Sequence, residues 1–257
     1  MEKIVVFGDD GSSGADLAWG WIAAQRWPGW RVDVLRADPP PLGPPVDPLE
    51  AEPVADEEPT DPRTPSAGSR IEEVRHLRMR SDPRIALLRS DAGLIVVGPR
   101  GRGLMKSLHL GSTAEYLLHH PPAPLLIARS ERPVERVLVC VDGSPHADRA
   151  LASLAGMPWA GSTRALILGV KGERPEIEEG IERAHVTLEG VMEEVSIRRT
   201  QGPVAQTILR EATDLDADLI VMGTRGITGL RRIVVGSVAS AVVRHAACSV
   251  LVAAAEE

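Results

Sequence analysis

Runs of branched apolar residues recur along the chain without polar residues between them. The clearest are LIVVG at 94–98, LIVMG at 219–223 and SVLVA at 249–253. Strands that are apolar on both faces are typical of parallel sheets covered by helices on each side. Between these runs, apolar residues recur at the three-to-four-residue spacing of amphipathic helices. The pattern therefore predicts an α/β fold with doubly wound parallel sheets.

The same order of strands and helices occurs twice along the chain. The segment IVVFGDDGSSGADLAWGWIAA at 4–24 resembles VLVCVDGSPHADRALASLAG at 137–156. In both, an apolar strand leads through Asp-Gly-Ser into a segment with helical periodicity. The shared register places Asp10 opposite Asp142.

The later part of the repeat sets the domain boundaries. From Gly98, which stands opposite Gly223 at an offset of 125 residues, the two copies run in parallel without a gap. A long internal repeat is the signature of two copies of one structural unit. We expect one domain at 1–131 and a second at 134–257, joined by ERP at 131–133.

The repeat breaks down in the first half at residues 38–69. This stretch holds ten Pro and eight acidic residues. Such a composition neither packs a core nor continues a helix. It predicts a solvated insertion in place of a helix, with a regulatory lid or partner-docking segment as the alternative. The second half instead has the pattern of a short amphipathic helix near 176–190.

A glycine-serine string follows a strand in each half. GPRGRGLMKSLHLGS at 98–112 and GTRGITGLRRIVVGS at 223–237 both read G-x2-G-x9-G-S. Glycine lets backbone N–H groups touch a phosphate and permits positive φ, and a helix start offers further N–H groups. Ligands of doubly wound sheets bind beyond the carboxyl ends of the strands. The string therefore predicts a phosphate site, to which Arg225, Arg231 and Arg232 can add charge-assisted contacts; the alternative is that Gly only turns the chain and Ser only caps a helix.

These motifs together resemble the universal stress protein family in a tandem two-domain form. The resemblance rests on the apolar strand with Asp-Gly-Ser, on ADLIVMG, on the G-x2-G-x9-G-S string and on HAACSVLVA at 245–253. It implies two Rossmann-like doubly wound domains, each with a five-stranded parallel sheet of order 3-2-1-4-5 and flanking helices. It also implies that the last strands, APLLIA at 123–128 and CSVLVA at 248–253, can pair with each other, so that the chain is its own dimer.

The resemblance further implies bound ATP, accompanied by Mg²⁺. Asp142 would contact the adenine, the backbone near Val170 would flank it, and the glycines would hold ribose and phosphates. The residues assigned to ATP in the second half are Asp142, Val170, Gly223, Arg225, Gly226, Gly236, Ser237 and Val238. The equivalent residues in the first half are Asp10, Gly98, Arg100, Gly101, Gly111, Ser112 and Thr113. The alternative for Asp10 and Asp142 is a carboxylate that only stabilises an Asx turn.

The first half departs from the family pattern in three places. Gly93 stands where the second half has Asp218, Pro99 removes an N–H beside the phosphate turn, and the insertion replaces a helix. We therefore expect the second-half site to bind ATP more tightly than the first-half site.

Composition and charge argue against several classes of function. A formal net charge of −7 argues against nucleic acid binding, which needs clustered Lys and Arg. No stretch approaches the ~20 apolar residues of a membrane span, so a cytoplasmic protein is expected. Cys140 and Cys248 lie in apolar runs, which predicts buried thiols rather than a disulfide or a metal site.

No catalytic machinery is visible in the sequence. There is neither a P-loop nor a G-x-S-x-G elbow, and no cluster of carboxylates accompanies the glycine string. The leading hypothesis is a stress-response ATP-binding sensor or regulator that is not an enzyme and signals to an unknown protein partner. A homodimer of the tandem chain is a candidate assembly. The alternatives are a slow ATPase or autophosphorylating protein using Ser237 or Ser112, and a nucleotide-free interaction module.

Overall fold

The computed structural model describes residues 3–38, 52–53, 63–65, 70–101, 110–170, 174–226 and 235–253. Most of the insertion predicted at 38–69 lies outside these residues, and so do Arg231 and Arg232. The first half contains β1 (Ile4–Gly8), α1 (Ser13–Ala24), β2 (Arg31–Asp38), β3 (Glu52–Pro53), β4 (Glu73–Arg80), α2 (Pro83–Leu88), β5 (Leu94–Val97), α3 (Ser112–His119) and β6 (Leu125–Ile127).

The second half repeats this order with one more helix among the described residues. It contains β7 (Arg136–Val141), α4 (Pro145–Ala155), a 3-10 turn (Ala160–Ser162), β8 (Arg164–Val170), α5 (Pro175–Glu189), β9 (Glu194–Thr200), α6 (Val204–Asp214), β10 (Leu219–Met222), α7 (Ser237–His245) and β11 (Ser249–Val252).

All of these strands belong to one sheet of eleven strands. Its order is β3-β4-β2-β1-β5-β6-β11-β10-β7-β8-β9. Within each half the five repeated strands are parallel, and the short β3 adds an antiparallel edge beside β4. Helices cover both faces of the sheet, so the predicted α/β fold with two doubly wound units is confirmed.

The two halves are joined by their last strands. β6 and β11 run antiparallel, with Val250 opposite Ile127 and Leu251 opposite Leu126. These four side chains are fully buried. The pairing anticipated between APLLIA and CSVLVA is therefore present within the chain, and it turns the two sheets into one.

Tryptophan side chains from both halves pack against each other on one face of the sheet. Trp21 of α1 is fully buried, and its ring centroid lies 6.1 Å from that of Trp27 and 6.1 Å from that of Trp159. Trp27 and Trp159 occupy equivalent positions of the repeat (159 − 27 = 142 − 10). The hydrophobic core on this face is consequently shared by both halves.

The halves differ most where α5 covers the second sheet. Ile177, Ile181 and Leu188 of α5 are buried against the strands. Between β2 and β4 of the first half, the described residues include no helix. Instead, Arg63 of the insertion forms ion pairs with Asp9 at 3.0 Å and with Asp16 at 2.7 Å.

Arg63 pairs with Asp16 in the first half as Arg183 of α5 pairs with Asp148 in the second half. Asp16 corresponds to Asp148 in the repeat, and Asp148 pairs at 3.1 Å with Arg183 of α5. The side chain of Arg63 is 14% exposed, so this part of the insertion packs against the first half. The leading prediction for the insertion was a solvated segment. This prediction is wrong at Arg63, because its cation pairs with two carboxylates of the first half.

The carboxylate of Asp9 is fully buried, which makes it the centre of this cluster. Burial alone would raise the pKa of Asp9, but hydrogen bonds from Arg63, from the backbone N–H of Gly11 and from Arg36 hold that pKa below its usual value. A carboxyl group whose pKa is lowered by folding stabilises the protein above its unfolded pKa of about 3.9. That stabilisation is lost as the pH falls through the lower, folded pKa.

We expect Arg63→Ala to lower the free energy of unfolding at pH 7 by about 1.5–3 kcal/mol, because it leaves a buried carboxylate with one arginine instead of two. The loss should shrink toward pH 3, where Asp9 protonates in the unfolded chain. Urea unfolding at several pH values measures both effects.

Arg183→Ala is the matched control, since Arg183 and Asp148 are 44% and 40% exposed. Exposed pairs of this kind contribute about 0–1 kcal/mol. Equal losses from the two variants, or a loss at Arg63 that does not depend on pH, would contradict the role given to Asp9.

Candidate functional site

A crevice of about 550 Å³ opens at the carboxyl ends of the second-half strands. This volume lies within the range of roughly 300–1,000 Å³ that is usual for small-molecule sites. The crevice is located between β7 and β10, where the strand order reverses. It is lined by all eight residues that were assigned to ATP in this half: Asp142, Val170, Gly223, Arg225, Gly226, Gly236, Ser237 and Val238.

The wall of the crevice is apolar below the strand ends. Leu168 and Met222 belong to the strands, and Ile208 comes from α6. Cys140 also lines the crevice, and burial raises the pKa of its thiol. Sequence motifs did not identify these four residues as site residues. Cys140, Leu168 and Met222 lie on strands that lead to the crevice, and they pack in one hydrophobic cluster with Ile208. Such a wall is suited to the flat, weakly polar surface of a nucleobase.

Asp142 presents one carboxylate oxygen to its own turn and one to the crevice. Its Oδ1 accepts a hydrogen bond of 3.0 Å from the N–H of Ser144, which is an Asx turn. Among the described residues, Oδ2 has no hydrogen-bond partner, and a Cβ on Gly226 would lie 2.7 Å from it. The turn-stabilising and ligand-binding interpretations of Asp142 are therefore compatible, because they use different oxygens.

Gly223 and Gly226 are required for close approach rather than for positive φ. A Cβ on Gly223 would lie 2.8 Å from the backbone of His146 and Ala147 in α4. The described glycines with positive φ are Gly11, Gly29, Gly143 and Gly202, so positive φ, which was considered for Gly226, is not found there. The N–H of Gly236 donates to the carbonyl of Thr224 at 2.7 Å, which closes the turn on itself.

The start of α7 is left open toward the crevice. Its N-cap is Gly236, which has no side chain to cap the first N–H groups. By contrast, α4 is capped by the hydroxyl of Ser144, which accepts from the N–H of Ala147. Ser237 is the first helical residue, so its hydroxyl does not act as the N-cap. Uncapped N–H groups at the positive end of a helix dipole are an anion-binding arrangement.

The first half builds the same turn from its own residues. The Oδ1 of Asp10 accepts from the N–H of Ser12 at 3.0 Å, and the N–H of Gly111 donates to the carbonyl of Pro99 at 2.8 Å. α3 starts at Ser112 without a side-chain cap, as α7 does at Ser237. A Cβ on Gly101 would collide with the carboxylate of Asp10. Gly98 follows β5, Arg100 lies between the glycines, and Thr113 stands in the first turn of α3.

Charge distinguishes the two sites more than backbone geometry does. Ser240 lines the second-half crevice, and the residue at its place in the first half is Glu115 (240 − 125 = 115). Glu115 lies in the first turn of α3, where its carboxylate would repel a phosphate. It forms ion pairs with Arg244 of α7 and with His119. Glu115 is therefore an electrostatic reason, which the motif comparison missed, to expect weaker phosphate binding in the first half.

One of the differences named from the sequence does not bear on the site. Asp218, which replaces Gly93, accepts hydrogen bonds from the N–H groups of Glu135 and Arg136. Arg136 begins β7 and Glu135 precedes it, at the end of the sheet opposite the crevice. The interpretation of Gly93 as a defect of the first site is wrong, because equivalence in sequence does not tell which end of a strand a residue occupies.

Other kinds of site were searched for in the described part of the chain. It holds no group of three or more His, Cys, Asp or Glu side chains that could bind a metal ion. Nor does any described helix have the length and apolarity needed to cross a membrane. Cys140 and Cys248 are both free, and burial raises the pKa of Cys248 to about 11.

Comparison with known proteins gives one consistent family. The model of the universal stress protein family matches residues 1–129 and again residues 133–254. A universal stress protein of Synechocystis is 26% identical over 168 residues, which cover 64% of this chain and 58% of that protein. A putative universal stress protein of Staphylococcus epidermidis is 32% identical over 142 residues, which cover 48% of this chain and 86% of that protein.

A solved structure has the same architecture from end to end. The crystal structure of a universal stress protein from Archaeoglobus fulgidus superposes with a TM-score of 0.69 at 21% identity, and it covers 99% of both chains. At this identity the likeness establishes the tandem fold.

Proposed function

We propose that this chain, which belongs to the universal stress protein family, binds ATP in the second-half crevice and passes its nucleotide state to a partner protein. The observation that carries the proposal is the convergence of all eight predicted residues on one crevice of suitable volume. Fold alone does not select a ligand. The proposal therefore rests on the chemistry of the crevice.

The residues of the crevice match the parts of a nucleotide. The free Oδ2 of Asp142 accepts from an exocyclic amino group, as adenine has. The apolar side chains of Leu168 and Val170 suit the face of the base. The uncapped N–H groups of α7 and the backbone at Gly226 donate to phosphate oxygens. Mg²⁺ would arrive with the phosphates, since this ion usually keeps several waters and binds through phosphate oxygens.

We propose binding without catalysis as the role of this site. Phosphoryl transfer needs carboxylates that hold Mg²⁺ and a base that orients the nucleophile. The charged residues that line the described crevice are Asp142, Arg174 and Arg225, of which only Asp142 is acidic. Its Oδ1 is already engaged by the Asx turn. Incubation with labelled ATP, followed by assays for released phosphate and for acid-stable phosphoprotein, tests this part of the proposal.

The two halves play unequal parts in this proposal. The second half is the nucleotide site, and the first half, with Glu115 beside its helix start, binds ATP weakly or not at all. The unbridged cysteines suit a reducing compartment, and we place the protein in the cytoplasm. The partner that reads the nucleotide state is a second protein.

Saturating ATP is expected to stabilise the stripped protein by about 2.7 kcal/mol at a concentration 100-fold above the dissociation constant. A micromolar dissociation constant corresponds to about −8 kcal/mol, so millimolar ATP with Mg²⁺ is sufficient. Thermal unfolding with and without nucleotide measures the shift. Denaturing the freshly purified protein and weighing the released small molecules identifies the natural ligand, and the proposal fails if ATP, ADP and AMP leave the melting temperature unchanged.

A further inference from the structure

Arg174 is the charged residue of the crevice that the glycine string does not explain. It lies just before α5, and it lines the crevice while its side chain remains exposed. Its backbone carbonyl accepts from the N–H groups of Ile177 and Glu178, but among the described residues its guanidinium has neither an ion pair nor a hydrogen bond. Arg183 of the same helix, by contrast, pairs with Asp148.

The position of Arg174 in the crevice indicates which part of a nucleotide it contacts. Arg174 follows β8, whereas the glycine turn follows β10, and β7 lies between these two strands. Neighbouring strands are about 4.8 Å apart, so the two sides of the crevice are separated by roughly 10 Å at the level of the sheet. Arg174 is thus on the side of Val170, across from the helix start that suits phosphate.

The part of the crevice next to Arg174 offers apolar surface to a planar ring. Leu168 and Val170 line the crevice from the face of β8 that packs with α6, and Ile177 lines it from α5; all three are buried. A ring lying on Leu168 and Val170 has its other face turned away from β8, and the exposed Arg174 lines the same crevice at the start of α5. Guanidinium groups are planar and stack on aromatic rings, and they are more weakly hydrated than ammonium groups.

We propose that Arg174 is a base-contacting residue, which stacks on the nucleobase from the rim of the crevice and holds it against the apolar wall. This inference rests on the proposed function, because it concerns the same site. It adds a contact outside the G-x2-G-x9-G-S string. It assigns to the second half a base clamp whose arginine comes from the start of α5.

The test compares ligands that share the base but differ in phosphate. Titration calorimetry on the full chain with adenosine, AMP and ATP measures dissociation constants for wild type, Arg174→Ala and Arg174→Lys. We expect Arg174→Ala to weaken all three ligands by the same factor, about two- to thirtyfold, at both low and high salt. Arg174→Lys should restore only part of the affinity, since an ammonium group keeps the charge but not the plane. Arg183→Ala is the control and should bind like wild type.

The outcomes separate this inference from the proposed function. If wild type binds ATP and Arg174→Ala binds all three ligands equally well, the clamp is wrong and the proposed function stands. A loss that grows from adenosine to ATP and fades with salt assigns Arg174 to phosphate, which also overturns the inference. If wild type binds none of the three, the proposed function fails and the inference falls with it.

Discussion

Replacing Gly236 with valine is expected to weaken ATP binding about a hundredfold or more while leaving the fold intact. A Cβ at this position would lie 3.3 Å from the carbonyl oxygen of Thr224 and 3.6 Å from the Cα of Arg225, so the chain accommodates it with a small adjustment. The backbone φ of −71° is open to any residue. The valine methyl groups would stand before the first N–H groups of α7 and keep a phosphate from reaching them.

The size of the effect follows from the hydrogen bonds that are lost. A hydrogen bond to a charged group contributes about 1.5–3 kcal/mol, and 2.7 kcal/mol is close to a hundredfold in affinity. Titration calorimetry measures the dissociation constant, and urea unfolding without nucleotide checks that stability is preserved. Gly223→Val is unsuitable for this test, since its Cβ would collide with the backbone of α4.

Gly111→Val is the matched control in the first half. Its Cβ would meet the Cα of Arg100 and the N of Gly101 at 3.3 Å, a similar fit. Because Glu115 stands in the first turn of the helix that follows, this variant should change ATP binding little. Two equal sites in wild type, or a larger loss from Gly111→Val than from Gly236→Val, would show that the assignment of the nucleotide to the second half is wrong.

Trp21→Ala should lower the free energy of unfolding by about 3–5 kcal/mol, the usual cost of removing a large buried aromatic side chain. The indole is fully buried between Trp27 of the first half and Trp159 of the second. We therefore expect both halves to lose stability together. Urea unfolding followed by circular dichroism measures the loss, and limited proteolysis with mass analysis shows which half opens.

Two further variants sharpen this prediction. Trp21→Phe should cost less than Trp21→Ala, because the buried Nε1 of Trp21 has no hydrogen-bond partner among the described residues and its removal leaves no acceptor unpaired. Trp19→Ala removes a partly buried ring whose aromatic neighbour is Phe7, within the first half. If Trp21→Ala unfolds the first half and leaves the second half at wild-type stability, the shared core is not what couples them.

Features that depend on short sequence motifs were predictable, and features that depend on contacts between distant residues were not. The glycine string and the Asp-Gly-Ser turn are short motifs at strand ends, so their meeting in one crevice follows from the topology of a parallel sheet. Ile208 of the crevice wall carries no motif, and only the packing of α6 identifies it. The pairing of Arg63 with Asp9 joins residues 54 positions apart in sequence (63 − 9), and no pattern of composition marks it.

Because β6 and β11 belong to one chain, their antiparallel pairing does not depend on the concentration of the protein. Two separate chains that pair by their edge strands dissociate on dilution, whereas two halves of one chain meet at a fixed effective concentration. This pairing also leaves neither β6 nor β11 as an exposed sheet edge, so neither strand is available to a second molecule. The subunits of a homodimer carry identical sites because their sequences are identical. The two halves of this chain differ in sequence, so their sites can differ. One half is then free to keep an anion site while the other places Glu115 at the same position and uses it to pair with Arg244.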